Sequence, residues 1–71
     1  MYVEITSYLK GAAITLLKEE FEGPDLLSVA YDEDKNIIKL VFKDDMLYRD
    51  MTCWIGHALG CGLIVGGHIE R

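Results

Sequence analysis

Hydrophobic and polar positions alternate from Tyr2 to Thr6, with Val3 and Ile5 on one side and Tyr2, Glu4 and Thr6 on the other. A period of two marks a half-buried strand. Ser7 then offers a helix N-cap, and from Tyr8 to Glu22 the period lengthens. Leu9, Ala13, Leu16, Leu17 and Phe21 recur at three and four, while Lys18, Glu19 and Glu22 fall elsewhere on the wheel. Gly23, as a left-handed cap, and Pro24 end that helix. Two β-branched and aromatic runs, Leu26 to Tyr31 and Ile37 to Phe42, flank Asp32-Glu33-Asp34-Lys35-Asn36 and predict an antiparallel hairpin with a solvated tip. On it Leu27, Val29 and Tyr31 share a face with Ile38, Leu40 and Phe42. The other face takes Ser28, Ala30, Ile37, Lys39, Val41 and Lys43.

Beyond Asp44-Asp45 the pattern admits two structures. Either Asp caps a helix from Met46 to Leu59, or the pair turns the chain into a third strand, Met46 to Met51. Both keep a helical segment around Trp54 to Leu59, broken by Gly60 and Gly62, with Leu63-Ile64-Val65 as a last apolar strand. The helix alternative gives the order β-α-β-β-α-β. That is an α+β fold of the ferredoxin-like kind, a small antiparallel sheet with helices packed on one face. The strand alternative gives an N-terminal helix, a three-stranded β-meander and a short helix. In the first, Tyr2, Ile37, Val41 and Ile64 lie on the open sheet face, where apolar side chains mark a partner surface, and self-association through it is expected.

Length confines these elements to a single domain, residues 1–71, with too little chain for a second core. Seven basic against twelve acidic side chains leave a net charge of −5, which disfavours direct nucleic-acid binding and favours basic or apolar partners. The two cysteines, Cys53 and Cys61, do not make the dense pattern of a disulfide-stapled secreted domain, and no signal-peptide pattern opens the chain. Free thiols in a reducing cytoplasm are the expectation. Met51 to Gly67 carries no formal charge, but it is short for a bilayer span and holds His57 and five glycines, so no membrane is expected.

The segment LLSVAYDEDKNIIKLVFKDDMLYRD, residues 26–50, resembles the central part of the KTSC domain, and ALGCGLIVGGHIER, residues 58–71, is similar to that domain's end. Tyr48-Arg49-Asp50 stands at the family's YxY motif, with Asp50 in place of the second tyrosine. The resemblance implies the meander, with Met46 to Met51 as third strand, and a role in RNA binding. Lys39, Lys43 and Arg49 would be the nucleus of such a surface.

Two constellations bear on chemistry. Cys53, His57 and Cys61 are spaced by four, with His68 beyond, and thiolate and imidazole together suit zinc as the alternative to no cofactor at all. Gly60 and Gly62 are expected to end the helix before Cys61 joins the same face, which leaves small buried thiols as the plainer account. In the helix alternative, Asp50, Cys53 and His57 share a stripe with Met46, while Leu47, Met51, Trp54, Ile55 and Ala58 face the core. A domain this small has little depth for a catalytic cleft, so the stripe reads as partner surface and the protein as a non-enzyme. GCGLIVGG lacks the spacing of a phosphate loop.

The acidic clusters carry the functional expectation. Asp32, Glu33, Asp34, Asp44 and Asp45, with Ile37 and Val41 on the open face, are the expected contacts with another protein. Charge complementarity suits an inhibitor or regulator of a larger protein, one that imitates nucleic-acid phosphates.

Overall fold

The computed structural model describes the backbone of residues 1–7 and 10–71 and the side chains of residues 1–7 and 15–71. Its elements are β1 (Tyr2–Thr6), α1 (Lys10–Phe21), β2 (Leu26–Asp32), β3 (Ile37–Phe42), a 3-10 turn (Asp45–Leu47), α2 (Tyr48–Gly60) and β4 (Gly66–Glu70). The helix opening assigned to Tyr8 and the inward positions Leu9 and Ala13 lie outside the described residues. The Ser7 hydroxyl donates to the Leu63 carbonyl at 3.0 Å, tying β1 to the approach to β4.

The fold is α+β: four antiparallel strands in the order β2-β3-β1-β4, and two helices. Inward side chains follow the period of two, with Val3 opposite Leu40 and Ile5 opposite Ile38. These four, with Phe42, join Leu17 of α1 and Met51, Ile55 and Ala58 of α2 in one buried cluster. Both helices therefore cover the same face of the sheet. Among the described residues no helix is long and apolar enough to cross a membrane.

The stretch from Met46 to Met51 is helical, which removes the third strand of the meander alternative. Asp44 explains why. Its Oδ1 accepts the Met46 N–H at 2.9 Å and starts the 3-10 turn that leads directly into α2.

Several expectations are corrected. Leu27 does not face the core, because β2 carries a bulge between Leu26 and Ser28; Leu26 then pairs with Phe42, and Leu27 turns outward, 62% exposed. Leu63 to Val65 is not the last strand. β4 begins at Gly66, where pairing with β1 starts, and Ile64, 4% exposed, belongs to the core rather than the open face. Gly23 is not left-handed: it opens a turn closed by Leu26 N–H to its carbonyl at 3.2 Å, with Pro24 at the second position, where its fixed φ suits. The left-handed glycine is Gly62, at φ 73°. There Leu63 N–H reaches the Ala58 carbonyl at 2.9 Å and Gly62 N–H the Leu59 carbonyl at 3.2 Å, a Schellman closure of α2.

That closure also corrects the expected departure of Cys61 from the helix face. Cys61, immediately before Gly62, keeps right-handed helical dihedrals, and its N–H bonds the His57 carbonyl, so the glycines do not carry it off the face of the helix. Both cysteines are free and exposed rather than buried.

Candidate functional site

The end of α1 and the first three turns of α2 lie side by side and leave a groove of about 550 Å³ between them, within the usual range of ligand sites. From α1 and the turn after it come Glu20, Phe21, Glu22, Gly23 and Asp25. From the other side come Leu47, Asp50, Cys53, Trp54 and His57. The floor is aromatic. Phe21 stands edge-on to Trp54 at 6.1 Å between ring centres and edge-on to the buried Phe42 at 6.3 Å, so three rings run from the groove into the core. Trp54 and Leu47, expected in the core, are only partly buried and form this floor, while Met51, Ile55 and Ala58 fill the core beneath.

Four carboxylates line the walls, and among the described residues no Lys or Arg does. None of the four accepts a hydrogen bond from a described side chain. Packed charges of one sign over a low-dielectric floor focus a negative potential into the groove. The spacing of Asp50, Cys53 and His57 already places them on one stripe. Their meeting with Glu20, Glu22 and Asp25 depends on helix packing, and its one trace in the sequence is the mixed acidic and aromatic run Glu20-Phe21-Glu22.

The acidic residues expected to meet a partner are elsewhere and partly engaged. At the hairpin tip Asp32 Oδ1 accepts the N–H groups of Asp34 at 3.1 Å and Lys35 at 3.3 Å, and Asn36 takes a left-handed φ of 54°. Glu33 and Asp34 are exposed. Asp44 caps the 3-10 turn, and Asp45 lies 3.7 Å from the Met1 nitrogen. Ile37 and Val41 are half-buried on the open face, where the row Lys39-Glu4-His68 separates them. Across that face Tyr2 donates to Glu4 Oε2 at 3.0 Å. Partial desolvation of the phenol, that hydrogen bond and the charges of Glu4 and Glu70 hold the Tyr2 pKa above its ordinary value.

Of the four residues considered as metal ligands, two meet. His57 Nε2 lies 3.5 Å from Cys61 Sγ. Cys53 lines the groove one turn earlier. His68 pairs with Glu4 on the face of the sheet away from α2 and contacts Glu70 at 3.2 Å. Among the described residues no group of three or more His, Cys, Asp or Glu is arranged to hold a metal ion.

No protein-family model matches the chain, and no curated protein and no solved structure matches it either.

Proposed function

We propose that this protein is a non-catalytic binding module, an inhibitor or regulator that takes a basic segment of a larger protein into the acidic groove between α1 and α2. The observation that carries the reading is the pairing of four carboxylates with a partly exposed tryptophan, with no Lys or Arg among the described residues, in one groove. A Lys or Arg side chain entering it gains twice. Its charge is attracted by Glu20, Glu22, Asp25 and Asp50, and its stem or guanidinium packs on Trp54, a contact worth about 0.5–2 kcal/mol depending on desolvation. Rim carboxylates steer the encounter and set its rate, and the aromatic floor holds what arrives.

Trp54 is the chain's sole tryptophan and reports the site directly. Titration with Lys- and Arg-bearing peptides should change its fluorescence, and the effect should weaken between physiological salt and 1 M, where the Debye length falls from about 8 to about 3 Å. The triple reversal Glu20→Lys, Glu22→Lys, Asp50→Lys should abolish the response. The double reversal Glu33→Lys, Asp34→Lys at the hairpin tip should leave it intact. An equal loss in both variants, or no response to basic peptides at all, refutes the reading.

A further inference from the structure

We infer that His57, at the edge of the groove, and Cys61, one turn beyond it, form a two-donor clamp for a divalent transition-metal ion of the zinc class. The two side chains stand one turn apart at the C-terminal end of α2, with Nε2 and Sγ 3.5 Å from each other. Zinc bonds thiolate sulfur at about 2.3 Å and imidazole nitrogen at about 2.0–2.1 Å, and a tetrahedral angle between those bonds separates the donors by about 3.5 Å. The observed 3.5 Å spacing therefore matches the bite of a chelate.

The Schellman closure makes this possible. Gly62 supplies the left-handed residue, so Cys61 keeps helical dihedrals and its N–H stays on the His57 carbonyl. Had the chain turned one residue earlier, the thiol would have left the stripe.

The surroundings decide between two uses of a thiol beside an imidazole. A nucleophilic thiolate needs a positive setting. Here the carbonyl end of α2 and the carboxylates of the adjoining groove make the setting negative, which attracts a cation instead. Both donors are exposed, leaving the remaining coordination positions open to solvent or an outside ligand. Binding releases the Cys61 thiol proton and bound waters of the ion to solvent, forms one metal–sulfur and one metal–nitrogen bond in their place, and changes no oxidation state.

Cobalt(II), which takes zinc's place with visible colour, is the probe. Titrated into the reduced full chain, it should produce a thiolate-to-metal charge-transfer band. Cys61→Ser and His57→Ala should each remove that band, while Cys53→Ser and His68→Ala should keep it. Zinc should raise the melting temperature of the wild type and leave that of Cys61→Ser unchanged, with circular dichroism confirming that the variants retain their helices. No thiolate band in the wild type, a band that survives in Cys61→Ser or His57→Ala, or one lost in Cys53→Ser overturns the clamp.

Discussion

The hairpin tip and the α1/α2 groove are both acidic, and they differ in what their carboxylates do. At the tip, Asp32 holds the turn through two backbone N–H groups, Lys35 sits within the same turn, and Glu33 and Asp34 are exposed. In the groove, Glu20, Glu22, Asp25 and Asp50 surround Phe21 and Trp54. Charge density along the chain is greater at the tip. Availability to a partner is greater in the groove, because there the carboxylates neither hold a described turn nor stand alone over water. The contrast teaches that a run of acidic letters locates charge without saying whether the fold has already used it.

The largest effect tests the groove's foundation. Phe42 is 2% exposed and supports Phe21, which in turn abuts Trp54. Phe42→Ala should cost about 3–5 kcal/mol in urea unfolding and should also alter Trp54 emission in the native state. A loss below about 1 kcal/mol would mean that the floor does not rest on the core and that groove and tip are equally superficial.

A middle-sized effect separates engaged from idle carboxylates. Asp44→Ala and Asp32→Ala should each cost about 1 kcal/mol, the usual toll for a lost capping oxygen, whereas Glu33→Ala should stay within about 0.5 kcal/mol. Equal stability of Asp32→Ala and Glu33→Ala by thermal melting would erase the distinction at the tip.

The groove reversals at Glu20, Glu22 and Asp50 should each shift stability by no more than about 0.5 kcal/mol. Glu20→Lys and Glu22→Lys, at the carbonyl end of α1, should move it upward by relieving like-charge repulsion in a chain of net charge −5, whereas Asp50→Lys, in the first turn of α2, should move it downward against the helix dipole. A marked loss would show that these side chains hold the fold.

The smallest effect belongs to the open face. Tyr2, with its pKa raised by desolvation, Glu4 and Glu70, favours folding in its neutral form. That contribution is present below the ordinary tyrosine pKa and is lost as pH rises through the higher native value. Tyr2→Phe should therefore flatten the alkaline limb of a stability–pH profile. An unchanged limb would detach Tyr2 from its acidic neighbours.

The strands and helices were legible where side chains decide them. β1 has the predicted bounds, because alternation alone specifies which residues are buried. The bulge at Leu27 was not legible, since two leucines in succession give no sign of which one faces inward. β4 was misplaced for a related reason. Leu63-Ile64-Val65 is the more apolar run, yet pairing with β1 uses Gly66 to Glu70, and Gly67 sits so close under α2 that a Cβ there would meet Ile55 Cγ2 at 3.0 Å. A strand residue chosen for lacking a side chain leaves no hydrophobic trace. The site was half legible: helical spacing gave the stripe Asp50, Cys53 and His57, but the opposite wall comes from residues about thirty positions earlier, brought close only by packing on the sheet.

The bulge in β2 has a consequence for crowded solutions. β2 and β4 are the two borders of the sheet, and an unbroken border presents a ladder of N–H and C=O groups on which a foreign strand can template itself. At one border the displaced register between Leu26 and Ser28 interrupts that ladder and increases the local twist. At the other, five residues bearing His68 and Glu70 offer too short and too polar a seam. Both borders of the four-stranded sheet thus carry a feature that disfavours the addition of a further strand.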